Sequence, residues 1–182
     1  MTQPIRLQSL VAPSAAGFEQ PFEMLEACHE RVHRMLALLA RLREHLDTHG
    51  ADLQAQQAAR DVMRYFDQAA PLHHQDEELH VFPRLLAQGT PEVAAVVRRL
   101  QEDHRAMEAG WRAAREVLAR VAGGGAVALE APDQAALAAF AALYGDHIAA
   151  EEGIAYPAAQ ALLEPRALEA MSEDMMRRRG VK

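Results

Sequence analysis

From Phe22 to about His49 apolar residues return every three or four positions: Leu25, Val32, Met35, Leu36, Leu39, Leu42 and Leu46. That period puts them on one stripe of an α-helix, and Gly50 supplies a stop. A second helix is predicted from about Asp52 to Leu86, with Val62, Phe66, Ala69, His73, Glu77 and His80 on one face. Pro71 falls inside it, where a kink or local break is expected. Thr90 as cap and Pro91 at the first helical position open a third helix that runs to about Val121. Gly123, Gly124 and Gly125 begin a flexible connection. A fourth helix runs from Pro132 to about Leu163 and is ended by Pro165, and a short amphipathic helix from Ala167 to Arg179 closes the chain. Residues 1–21, with Pro4, Pro13 and Pro21, read as an irregular arm. The expected organisation is therefore an arm (1–21), a four-helix unit (22–163) and a helical tail (164–182). Long helices with short connections pack most simply as an antiparallel up-down-up-down bundle, an all-α fold.

Two of these helices repeat the other two. His29 opens HERVHRML and His104 opens HRAMEAGW, while His73 begins HHQDEELHVFP and His147 begins HIAAEEGIAYP. In the second pair His73 matches His147, Glu77 matches Glu151, Glu78 matches Glu152, Phe82 matches Tyr156 and Pro83 matches Pro157. On a helix, residues i and i+4 lie roughly 40° apart around the axis. His73 and Glu77 therefore face one space, as do His147 and Glu151. Glu78 and Glu152 lie roughly 140° from their histidines and are not expected to share it. His74 is only about 60° from Glu77 and can flank it. Imidazoles and carboxylates buried without partners would cost several kcal/mol each, about what a bound cation removes.

Composition narrows the chemistry. The chain has 182 residues, half of them hydrophobic, with 5% aromatics. Its single cysteine, Cys28, excludes a disulfide framework and a thiolate-rich zinc site. The net charge of −7 argues against nucleic acid. Arg177, Arg178 and Arg179 suit the dipole at a helix C-terminus. The longest apolar run, Ala135 to Tyr144, is too short to span a bilayer. The start of the chain lacks a charged-then-apolar leader, so a cytoplasmic protein is expected. What stands out is nine histidines beside 26 acidic residues.

A nitrogen and oxygen donor set suits iron or manganese better than structural zinc. Two glutamates on opposed helices can bridge two ions, as in four-helix di-iron carboxylate sites. Two six-coordinate ions offer about twelve positions; an oxo or hydroxo bridge and two bridging carboxylates take about six of them. His29, His73, His74, His104 and His147 fill five of the rest, leaving one open.

These segments (ACHER around His29, HHQDEELHVFP, EDHRAME around His104 and HIAAEEGIAYP) resemble the hemerythrin family, in particular its HHE cation-binding branch. The resemblance covers about Phe22 to Leu163. It implies a left-twisted four-helix bundle around a non-haem di-iron centre that binds oxygen, in a family whose relatives serve in sensing, iron or oxygen storage and defence against peroxide or nitric oxide. Carried over residue by residue, His29 matches the ligand of the first helix. His73 and Glu77 match the pair of the second, with Glu77 bridging. His104 matches the first histidine of the third helix, and His147 and Glu151 the pair of the fourth. There are two departures. Glu108 stands where oxygen carriers have a second histidine in the third helix, and the fourth helix reads His-x-x-x-Glu rather than His-x-x-x-x-Asp. His74 is expected to supply the missing nitrogen, with Glu108 as its competitor.

The function expected is binding of oxygen or a related small ligand, nitric oxide or peroxide, at one open iron position. The alternative is an oxidoreductase consuming peroxide or nitric oxide. No protein partner is legible. His29-Glu30-Arg31-Val32-His33 also spells HExxH, the pattern of zinc hydrolases, but that reading leaves His73, His104 and His147 unexplained. His33 and His80 are expected beside the ligands, and His45 and His49 on the surface. Trp111, Phe66, Phe82, Phe140 and Tyr156 are read as core, and Cys28 as a buried, inert thiol.

Overall fold

The computed structural model describes residues 17–125 and 129–181; most of the expected N-terminal arm lies outside them. The described residues are helical with no strand. α1 spans Pro21–His49 and ends at Gly50, whose φ of 66° needs no Cβ and whose N–H reaches the Leu46 carbonyl. α2 spans Leu53–Asp76, capped by Asp52, whose carboxylate accepts the Ala55 N–H at 2.8 Å. α2 continues through Pro71 without the break expected there. The interruption comes later, as a π-helical turn over Glu77–Val81 that leads into α3, Phe82–Gln88. α4 runs Pro91–Ala122, with Thr90 capping and Pro91 in its first turn, as the sequence suggested.

The fourth predicted helix is not continuous. It comprises α5 (Ala131–Ala142), α6 (Gly145–Ala150), a second π-helical turn (Glu151–Ala155) and α7 (Tyr156–Leu162). The chain bends at Leu143 and Tyr144 where α5 meets α4: a Cβ on Gly110 would stand 3.2 Å from Leu143 Cδ1, so glycine admits that approach. α8 spans Pro165–Arg178 and lies against α1 and α2.

The two π-helical turns share one cause. Pro83 and Pro157 follow Phe82 and Tyr156, and a proline has no N–H for the carbonyl four residues back and crowds it with its ring. Widening the turn relieves both problems. The Phe82 N–H goes to the Glu77 carbonyl and the Tyr156 N–H to the Glu151 carbonyl, each five residues back. The proline that ends each repeated motif thus reshapes the backbone at its glutamate pair.

Two apolar clusters lie on either side of these turns. One joins Val32–Leu46 of α1, Ala55–Ala70 of α2, Met107–Val121 of α4 and Leu137–Ile148. The other joins Phe22 and Leu25, Val81–Leu85, Val97 and Leu100, Ala150–Ala159, and Met171 and Met175 of α8. His29, His73, Asp76, Glu77, His104, His147 and Glu151 are buried where one cluster gives way to the other, whereas buried His45 lies within the first. No described helix is long and apolar enough to cross a membrane.

Candidate metal centre

Six side chains meet in that polar layer: His29 from α1, His73 from α2, Glu77 from the first π turn, His104 from α4, His147 from α6 and Glu151 from the second π turn. Each is at most 7% exposed. They form two groups of potential ligand atoms. One holds His29, His73, Glu77 and Glu151; the other holds His104, His147 and Glu151. Glu151 turns Oε2 to His29 Nε2 at 3.1 Å and Oε1 to His147 Nε2 at 2.8 Å. Glu77 turns Oε1 to His73 Nε2 at 3.5 Å and Oε2 to His104 Nε2 at 3.4 Å. Each carboxylate therefore offers one oxygen to each histidine pair.

The fit to a cation is tested by what these atoms lack. Glu77 Oε2, both oxygens of Glu151, His104 Nε2 and His147 Nε2 are buried and have no aligned hydrogen-bond partner. Close N···O distances without hydrogen-bond alignment leave several lone pairs converging on one space. Buried polar groups almost always find partners, and lone-pair donors of both types around one point suit a hard or borderline metal ion.

The outer nitrogens are held as well. His29 Nδ1–H donates to Glu152 Oε1 at 2.8 Å, and His104 Nδ1–H donates to Glu78 Oε1 at 3.0 Å. Gln101 donates to the other oxygen of Glu78 at 2.7 Å. The second glutamate of each repeated pair thus orients the histidine from the other half, leaving Nε2 free to face the site. His147 Nδ1 lies 3.4 Å from Asp103. Its counterpart His73 has no partner at Nδ1, and Cys28 stands in the first half where the second half has Asp103.

Charge explains the electrostatics. Burial and the nearby Glu151 carboxylate push Glu77 up to about 7. Burial acts against ionised Glu151 too, but close contacts with His104, His147 and His29 hold it well below the usual carboxylate range. Burial opposes charge on His104, yet contacts with Glu151, Glu77 and Glu78 raise it to about 11. Among protein groups alone, protons balance the carboxylates that a cation would balance. Burial, aided by neighbouring imidazoles, holds His73 and His74 well below the usual histidine range, so both keep a lone pair to offer.

Other expectations fare unevenly. His74 belongs to neither ligand group: its ring stacks on His104, with centroids 4.0 Å apart and planes 16° apart. Glu108 is exposed, paired with Arg112 at 3.0 Å and in neither ligand group, although it lines the cavity that reaches His104. His33 is exposed, not beside the ligands. His45, expected on the surface, is 4% exposed, 3.0 Å from Asp52 and stacked on His49. His80 binds Asp174 of α8 at 2.8 Å. Cys28 is buried, which pushes its thiol up and keeps it inert. The C-terminal arginines do more than complement a dipole: Arg178 and Arg179 bind fully buried Asp76, at 2.5 and 2.6 Å.

Sequence reasoning passed over three functional-looking groups. Glu78 and Glu152 were legible as repeated neighbours of the ligands, although an ideal helix turns them away. Tyr156, read as core, carries a hydroxyl into the site. Asp76, beside Glu77, had no visible partner until α8 was placed. A cavity of about 390 Å³ reaches His74, Glu78 and His104 from the outside, between Phe66, Trp111 and Tyr144.

With this geometry in view, the comparisons with known proteins are direct. Residues 20–159 match the hemerythrin HHE cation-binding domain, and the chain belongs to that family. It is also 31% identical over 176 residues to an uncharacterized protein of Haemophilus influenzae (strain ATCC 51907 / DSM 11121 / KW20 / Rd), an alignment that spans 97% of this chain and 99% of that protein.

Proposed function

We propose that this chain holds two iron ions and binds oxygen or a related small ligand, such as nitric oxide or peroxide, at one open position. The observation that carries the reading is the disposition of Glu77 and Glu151, each with one oxygen toward His29 and His73 or His104 and His147. Carboxylates so placed suit a pair of ions rather than a lone one. Membership of the family supports iron as the metal. The bundle is read as antiparallel, up-down-up-down, because successive long helices cross from one apolar cluster to the other and back.

The iron pair would supply reversible ligand binding with change of oxidation state. The protein's own groups do the rest. Glu78 and Glu152 fix the planes of His104 and His29, the apolar clusters exclude bulk water from both ends, and the cavity beside His104 gives a small ligand its approach.

The test is anaerobic reconstitution with ferrous iron, metal analysis, and optical spectra with and without oxygen. About two irons per chain and a reversible, oxygen-dependent absorption band are expected. One zinc per chain without such a band would refute the reading. Rapid consumption of added peroxide would move the protein from ligand binder to enzyme.

A further inference from the structure

Among the positions at which the two halves differ, two place different side chains against the ligand histidines. Tyr156 corresponds to Phe82. Each ring stacks on the histidine contributed by the opposite half: Tyr156 on His29, with centroids 5.6 Å apart and planes 7° apart, and Phe82 on His104, at 5.5 Å and 23°. Only Tyr156 carries a hydroxyl. That hydroxyl is buried, donates to Glu77 Oε1, and lies 3.3 Å from His29 Nε2. His29 Nε2 is itself 3.0 Å from His73 Nε2 and 3.1 Å from Glu151 Oε2. The phenol oxygen therefore sits among the ligand atoms of the first group. The second difference is His74, whose counterpart is Ile148. Its ring lies flat against His104 and lines the cavity, outside both ligand groups.

Given the di-iron reading above, we propose that Tyr156 is a phenolate ligand of the ion held by His29 and His73, and that His74 lines the ligand pocket of the other ion without binding metal. Bridging groups leave about six terminal positions on two six-coordinate ions. His29, His73 and Tyr156 complete the first ion; His104 and His147 leave one position of the second open, on the side where the cavity arrives. Coordination exchanges the phenolic O–H bond for an oxygen–iron bond. The proton leaves to solvent and no electron moves. The phenolate is a hard, anionic donor that favours the ferric state of its own ion, so the two ions differ in both ligand access and redox preference.

The full chain reconstituted with iron and oxidised is expected to show a visible tyrosinate-to-ferric charge-transfer band. Its resonance Raman spectrum should contain phenolate ring modes that shift when the protein is grown on ring-deuterated tyrosine. This measurement needs no variant. Tyr156→Phe, which reproduces Phe82, is expected to keep about two irons and lose the band and the modes. Tyr65→Phe, at a hydroxyl bonded to the Cys28 carbonyl, should keep both. His74→Ala should keep both irons and the band while changing azide affinity. Two irons in the unaltered protein without phenolate modes, or modes that persist in Tyr156→Phe, would overturn the assignment and leave the di-iron reading standing. Loss of one iron in His74→Ala would restore His74 as a ligand and overturn the placement of the open position. No iron uptake at all would end the di-iron reading itself.

Discussion

The two flanks of the polar layer are built differently. On the side of His29 and His73, α8 lies against α1 and α2, Tyr156 covers His29, and buried Asp76 ties in Arg178 and Arg179. On the side of His104 and His147, Phe82 offers no hydroxyl and a cavity opens between α2 and α4 to His74 and His104. A near-duplicate set of ligands has thus been given one closed face and one open face. On the proposed di-iron reading, what the halves share should matter to both ions, and what they do not share should affect one.

The largest effect follows from the most shared group. Glu151 faces His29, His104 and His147 and belongs to both ligand groups. Glu151→Ala is expected to drop bound iron from about two per chain to a small residue, as read by metal analysis after desalting. Retention of one full equivalent would show that the halves bind independently.

The next effect tests their equivalence. Glu78 and Glu152 each hold the outer nitrogen of one histidine. Loss of such a partner typically weakens metal binding by about 10–100-fold. Glu152→Gln and Glu78→Gln should each weaken one ion by that range, measured by competition with a chelator. A much smaller effect for Glu78, which also accepts from Gln101, would mean that the open half is the more pliable.

How far the sequence revealed this can be judged residue by residue. The repeat of His, paired glutamates, aromatic and proline was legible because a helix converts spacing into facing. So were the helices whose ends carry Pro, Thr or Gly. Glu78 and Glu152 lie outside both ligand groups, as their angle on the helix predicts, but their bonds to the outer nitrogens of His104 and His29 were missed because those contacts join opposite halves of the chain. His33 and His45 were interchanged in burial for a related reason. Both sit near the apolar stripe of α1, and only packing against α2 and the α1–α2 connection decides which one turns in. The bend before Gly145 was missed because Ala-rich sequence reads as continuous helix, and the contact with Gly110 that accompanies it is tertiary. Partners distant in sequence, such as Asp76 with Arg178 and Arg179, leave no local signal at all.

That last cluster gives a stability difference between the flanks. Asp76 is fully buried and receives both guanidinium groups, which are themselves only 15–16% exposed. Hydrogen bonds to charged groups contribute about 1.5–3 kcal/mol, and the arginines can swing into water once released. Asp76→Ala is therefore expected to cost about 2 kcal/mol and to lower Tm by about 4–8 °C in a domain of this size. Limited proteolysis should then cut first at α8. An unchanged Tm would mean that Met171 and Met175, buried in the apolar cluster, hold α8 without the ion pairs.

The smallest effect concerns pH and the same helix. Asp174 of α8 is bound by His80 at 2.8 Å and by Arg178 at 2.8 Å. The His80 hydrogen bond, against a little burial and with help from Arg178, lowers its carboxyl to about 2. A carboxyl held below its unfolded value contributes stability above that value and loses it as pH falls toward the folded one. The docking of α8 should therefore be constant down to about pH 4 and weaken between about pH 4 and pH 2. Because the pair lies near the surface, the change is screened by salt and small. Asp174→Asn should remove this pH-dependent component from the acid limb of a thermal-stability profile. A profile identical for the variant and the unaltered chain would show that α8 is held by its methionines and by Asp76 alone.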